Sequence, residues 1–248
     1  MTTKKLPAGT PDGCEITGAV SFALFLAFGF WLAGLSGCNG GAPGGPLCED
    51  LVNPAEPSIV DGELSTDRRS TVQVFLHPGG CSGTIVGAHT VLTAAHCARD
   101  INSIMVEGDA FYRADSGLTH PDYSFPSHDL HLLYFDDTLP EPYATIGLAA
   151  GVECYSLLAQ GYGIDSGGAL HEREIFELNR EFGILFTTPA TCNGDSGGPA
   201  YGETDEGMVQ VGVTSFGTTG PTNCRTSRPG FVDLQDPRNG NWVRENTR

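Results

Sequence analysis

Lysine is nearly missing from this chain. It occurs only at Lys4 and Lys5, and every later basic residue is Arg or His. A lysine-directed protease therefore has no target past the extreme N-terminus. Positive charge is scarce in general: 13 Lys plus Arg stand against 30 Asp plus Glu, a formal net charge of −17. That balance disfavours nucleic acid as a partner and favours solubility. Long helical periodicity is also absent, apart from a short stretch at the C-terminus, and no internal repeat is visible. Glycine and proline are plentiful, at 34 and 16 residues, which suits many short strands joined by turns.

The 248 residues fit one domain of about 190 to 200 residues behind an N-terminal extension. Residues 1–37 read as an export signal: Lys4 and Lys5 supply the positive start, and Ile16 to Gly37 is an uncharged, largely apolar run. The run ends in LSGC, Leu35 to Cys38, which resembles the bacterial lipobox, and this implies that Cys38 carries lipid. An uncleaved transmembrane helix is the alternative, because the run approaches spanning length. Either reading puts the remainder outside the cytoplasm, where disulfides form. Asn39 stands where inner-membrane lipoproteins usually carry Asp, which points toward the outer membrane of a bacterial envelope. Residues 38–58, rich in Gly and Pro, read as the lipidated cysteine, a linker and a propeptide.

From Ile59 onward the pattern is all-β. Val72, Val74 and Leu76 alternate; GTIVG and TVLTAA form a hairpin pair around Ala88-His89; INSIMVEG, LHLLYF, YSLLAQ, REIFEL and MVQVGVTSF continue the series. Near the end, Asp236-Pro237 has the form of a helix cap followed by Pro at the first helical position. Eight cysteines are present; with Cys14 in the signal and Cys38 lipidated, six remain (Cys48, Cys81, Cys97, Cys154, Cys192, Cys224). An even remainder in an exported chain suggests three bridges, and arithmetic alone allows 15 pairings.

Two DSGG sequences compete as a nucleophile site. At Asp165 to Gly168 the aspartate follows Ile164, and Ser166 reads as a surface-loop residue. In TCNGDSGGPA, Thr191 to Ala200, Gly194 lies two residues before Ser196 and lets the main chain turn so that N–H groups converge on an oxyanion. A serine hydroxyl still needs a base to attack a carbonyl.

Four blocks, CSGTIVGAHTVLTAAHC (Cys81 to Cys97), HDLHLLYF (His128 to Phe135), CNGDSGGPA and TSFGTTG (Thr214 to Gly220), resemble in order the signature blocks of the trypsin/chymotrypsin family of serine proteases. The resemblance covers residues 59–248 and implies two packed six-stranded antiparallel β-barrels, with a short C-terminal helix and the site between the barrels. It implies His96 as general base, Asp129 as its orienting carboxylate, Ser196 as nucleophile, and the N–H groups of Gly194 and Ser196 as the oxyanion hole. By the same resemblance Ser215 hydrogen-bonds Asp129, and Ala190, Thr191, Ser215, Gly217 and Gly230 shape the substrate pocket. Ala190 stands where trypsin-like members carry Asp, so cleavage after apolar side chains is expected, since a cation there would lack a counter-charge.

The family also implies the bridges Cys81–Cys97 and Cys192–Cys224, leaving Cys48 and Cys154 to pair and tie the propeptide to the protease domain. It further implies a zymogen in which cleavage before IVDG frees Ile59 to pair with Asp195. Ser58 at that junction is not basic, and no basic residue lies between Lys5 and Arg68, so a trypsin-like activator cannot make this N-terminus. His128 and His131 suggest a metal only superficially. Three apart on one strand, they would face opposite sides, and we assign no metal and no cofactor. His120 is taken as a loop residue without chemistry. The expectation is a monomeric serine endopeptidase tethered to the envelope and acting on proteins or peptides. A zymogen-locked binding protein on the same fold is the alternative from another class, and simple ester hydrolysis would use the same site.

Overall fold

The computed structural model describes residues 59, 62–76, 79–98, 103–106, 110–147, 156–163, 169–205, 207–219 and 224–248. The signal segment 1–37, Cys38, the linker 38–58, the Cys48–Cys154 pair, Ser58 and Ser166 lie outside the described residues. Among the described residues no helix is long and apolar enough to cross a membrane.

Fourteen strands are described, in two antiparallel sheets. The first contains β2 (Thr71–Leu76), β3 (Gly79–Gly87), β4 (Thr90–Thr93), β5 (Ser103–Val106), β6 (Ala110–Arg113), β7 (Ser116–Thr119) and β8 (His131–Tyr134). Its order is β6-β5-β2-β3-β4-β8-β7. The outer strands β6 and β7 are separated in sequence only by Ala114 and Asp115, so one bent segment supplies both edges and brings them back together. The predicted hairpin turn at Ala88-His89 joins β3 to β4, with Gly87 opposite Thr90.

The second sheet contains β9 (Ser156–Gly161), β10 (His171–Glu181), β11 (Ile184–Thr187), β12 (Pro199–Thr204), β13 (Gly207–Gly217) and β14 (Pro229–Asp233), with β1 (Glu63–Leu64) as an outer strand on β10. The order runs β10-β11-β14-β13-β12-β9, and β9 pairs back onto β10, which closes a six-stranded barrel. Closure removes the exposed edges that open sheets must protect. The all-β architecture expected from the sequence is thus the observed one.

Each sheet encloses its own apolar core. Val72, Val74, Ile85, Val91, Ile104 and Leu133 fill the first, and Leu157, Ala159, Ile175, Leu185, Val211 and Phe231 fill the second. A third cluster draws on both sheets and on the C-terminal helix: Leu92, Leu130 and Leu132 meet Val213, Val232 and Val243. That shared cluster fixes the first sheet against the closed barrel and holds the segment just after Asp129. The helix α1 (Pro237–Asn246) begins as its sequence suggests, with the Asp236 side chain accepting from the Arg238 N–H at 3.0 Å and Pro237 in the first turn.

Candidate active site

His96 sits on a single 3-10 turn, Ala95–Cys97, directly after β4. Cys97 in that turn is bonded to Cys81 on β3, so a covalent link fixes the turn to the first sheet. Asp129 precedes β8 and has no solvent exposure. Its carboxylate accepts three hydrogen bonds. The His96 backbone N–H donates to Oδ1 at 2.8 Å, His96 Nδ1 to Oδ2 at 2.6 Å, and the Ser215 hydroxyl to Oδ2 at 2.6 Å. A buried charge is tolerated when its lone pairs are satisfied in this way. The carboxylate can only accept, so the proton on His96 resides on Nδ1, and Nε2 is left as a base.

Ser196 and His96 line one cavity of about 430 Å³, together with Thr191, Asn193, Ser215 and Gly217. The loop carrying Ser196 is tightly bonded. Cys192 N–H donates to Asp195 Oδ2 at 2.8 Å, Asp195 N–H to the Cys192 carbonyl at 3.1 Å, and Gly198 N–H to the Asp195 carbonyl at 2.8 Å. In a trans peptide the C=O and N–H point opposite ways, so the last bond turns the Ser196 N–H away from Gly198. Gly194 has φ +93° and Gly197 φ +83°, values that L side chains rarely adopt. At Gly197 a Cβ would also lie 2.1 Å from Thr93 Oγ1. The GDSGG spacing is therefore a backbone requirement of the loop. Cys192 is bonded to Cys224 across the cavity wall, which both residues line.

Ile59 and Asp195 are both buried in the second barrel. The Ile59 N–H donates to the Ala190 carbonyl at 3.2 Å. Asp195 packs against Gly161 and Gly163, where a Cβ would fall 2.3 Å and 2.7 Å from its Oδ1. Of the five sequence-derived pocket residues, Thr191, Ser215 and Gly217 line the cavity. Ala190, next to Thr191 in the chain, is fully buried in the second core. Gly230 lies under the Phe216 ring, which a Cβ would meet at 2.3 Å.

The histidines need one correction. His128 is not on a strand with His131. It occupies a turn with φ +51°, its ring stacks on His120 at 4.7 Å, and its Nδ1 donates to Asn239 Oδ1 at 2.7 Å. His131 is on β8, buried, with Nδ1 2.8 Å from Thr119 Oγ1. Both are packing residues. Cys81, His96 and Cys97 bring a ring nitrogen and two sulfurs within 4.8 Å, but the sulfurs are bonded to each other and offer no thiolate to a metal.

Burial pushes the His131 imidazole down to about 4, and this has a consequence for stability. The unfolded chain takes up a proton near 6.5, so between that pH and 4 it holds more protons than the folded protein, and stability falls as pH drops. The loss approaches about 3 kcal/mol at the acid end. The denaturant midpoint of the wild type should therefore fall relative to that of His131→Leu on acidification over this window. Parallel pH profiles would contradict it.

Sequence reasoning missed Phe125. This half-exposed ring lines the cavity and meets the His96 ring edge-on at 5.8 Å. Phe216 lies 6.3 Å beyond it. The only signal was an aromatic between the polar residues of the loop before Asp129, which does not say which way the ring turns.

The comparisons with known proteins agree with this geometry. The family model described as Trypsin matches residues 59–234. Trypsin alpha of Drosophila melanogaster is 23% identical over 218 residues, covering 71% of this chain and 84% of that protein. Human kallikrein-4 is 24% identical over 223 residues, covering 74% and 88%. Rat kallikrein-8 is 25% identical over 280 residues, covering 96% and 97%. Among solved structures, neuropsin, described as a serine protease expressed in the limbic system of mouse brain, superposes with a TM-score of 0.63 at 18% identity, covering 75% of this chain and 98% of that one.

Proposed function

This chain belongs to the trypsin family, and from that premise we propose that it is a serine endopeptidase working through Ser196, His96 and Asp129. The observation that carries the proposal is the triply bonded, fully buried Asp129 carboxylate, which fixes the His96 tautomer beside a cavity shared with Ser196. In the proposed reaction Ser196 Oγ adds to the substrate carbonyl carbon while its proton passes to His96 Nε2. The carbonyl π electrons move onto oxygen, which the N–H groups of Gly194 and Ser196 receive. Collapse breaks the C–N bond, and the His96 proton leaves with the amine. Water then repeats the addition, releasing the acid and restoring Ser196. A binding protein has no use for a base held in one tautomer, which favours the enzyme over a locked scaffold. The test is labelling with a peptidyl phosphonate, which should modify Ser196 at one equivalent. An unlabelled Ser196 in protein that carries a free Ile59 amino group would overturn the proposal.

The substrate side chain before the scissile bond is proposed to be apolar. None of the described residues lining the cavity carries a carboxylate, and Ala190 behind them is uncharged. Activation through cleavage at Ile59 and tethering through Cys38 remain proposals on the sequence alone. Metabolic labelling with palmitate, lost on Cys38→Ala, tests the tether.

A further inference from the structure

We propose that Ser82 is a positioning residue for the oxyanion hole, an inference that rests on the protease reading above. Ser82 is on β3 of the first sheet, directly after Cys81, and has no solvent exposure. All of its polar groups are engaged, its N–H and hydroxyl with segments of the second barrel and its carbonyl within its own sheet. Its N–H donates to the Ser196 carbonyl at 2.8 Å, and its own carbonyl accepts from Thr93 Oγ1 at 2.8 Å. Its hydroxyl donates to the Gly194 carbonyl at 3.0 Å and accepts from the Tyr162 N–H at 2.9 Å. One residue of the first sheet thus grips the carbonyls on both sides of Asp195. The same residue ties them to the Gly161-Tyr162-Gly163 segment that packs around the Asp195 side chain.

The hydroxyl matters because of the residue it holds. Gly194, at φ +93°, has no side chain to restrict it and can reach several backbone conformations at little cost. Only one of these aims its N–H at the oxygen of a reacting carbonyl. The bond from Ser82 Oγ fixes the carbonyl end of Gly194, and the Asp195 N–H bond to the Cys192 carbonyl fixes the far side of the same peptide. Without the hydroxyl, the part-buried Gly194 carbonyl loses this donor and the part-buried Tyr162 N–H loses this acceptor, and the Gly194 peptide has reason to turn elsewhere. A preorganised donor is worth far more to the transition state than one that must be reoriented during reaction. The nucleophile itself is held separately, through the Ser82 N–H, which any residue but proline retains at this position.

The experiment compares wild type, Ser82→Ala, Ser82→Gly and Ser82→Thr in the full chain, below each protein's measured unfolding midpoint. Two quantities are read: kcat and KM on a peptide amide, and affinity for a peptidyl boronic acid, whose tetrahedral serine adduct puts an oxygen in the hole. For Ser82→Ala the expected result is a drop in kcat of about 10- to 100-fold, below the loss from deleting a hole donor outright. KM should stay within about threefold, and boronate affinity should fall by a factor similar to that for kcat. Ser82→Gly, which keeps the bond to Ser196, should behave alike and serves if the alanine protein does not fold. Ser82→Thr, which keeps the hydroxyl, should recover most of kcat. Unchanged kcat and boronate affinity in a folded variant, or a rise in KM alone, overturns the role of Ser82 and leaves the protease reading intact. A wild type inert to the amide, the boronate and the phosphonate overturns both.

Discussion

Ser196→Ala is expected to abolish peptide hydrolysis while the fold survives. Loss of a member of such a triad costs roughly four or more decades in rate, because the remaining groups cannot supply a nucleophile. The side chain removed is small and partly exposed on the cavity wall, so the hydrogen-bonded loop around it should persist. The matched control is Ser166→Ala at the other DSGG, expected to stay within a few-fold of wild type. The local chain explains the contrast. Gly194 at φ +93° lets the backbone turn ahead of Ser196, whereas the residue two before Ser166 is Ile164. Turnover of a peptide amide by each purified variant, with circular dichroism to establish folding, decides the matter. An active Ser196→Ala protein, or a dead but folded Ser166→Ala protein, would move the nucleophile elsewhere.

Peptides with Phe or Leu before the scissile bond should be cut at least about 100-fold faster, in kcat/KM, than matched peptides with Arg there. A guanidinium drawn into the cavity would be desolvated without a counter-charge, a cost of several kcal/mol. Its described wall offers hydroxyls, an amide and aromatic faces, but no carboxylate. Ala190→Asp should narrow the gap only modestly. Ala190 is fully buried among Leu157, Ala159, Ile175 and Leu185, so a carboxylate there would be desolvated and the folded state destabilised. The thermal midpoint of Ala190→Asp should therefore fall even as cleavage after Arg improves. A wild-type preference for Arg would refute the apolar reading.

Several features of this protein are local, and these were legible in the chain. The N-terminal cap of α1 depends on Asp236 and Pro237, and the β3–β4 turn depends on neighbours in sequence. TAAHC and GDSGG could be read for the same reason. A turn that bonds His96 in place, and a loop that needs positive φ at two glycines, leave their demands in consecutive residues. Strands with one face in water show alternation. The buried β14 (PGFVD) does not, and β12 (PAYGET) combines Pro and Gly with four buried residues, so neither stood out. His128 was misplaced onto the strand because its left-handed turn has no mark in an L-residue's identity.

What tertiary structure alone decided is how distant backbone segments meet. The edges of the first sheet meet through the β6–β7 bend, and Phe125 turns onto His96. Ala190 withdraws into a core, and a serine 112 positions before Gly194 comes to hold its carbonyl. Residue type states what a side chain can donate, accept or bury. Which partner it finds depends on the packing of the first sheet on the closed barrel through a shared apolar cluster, and that packing draws on segments far apart in the chain.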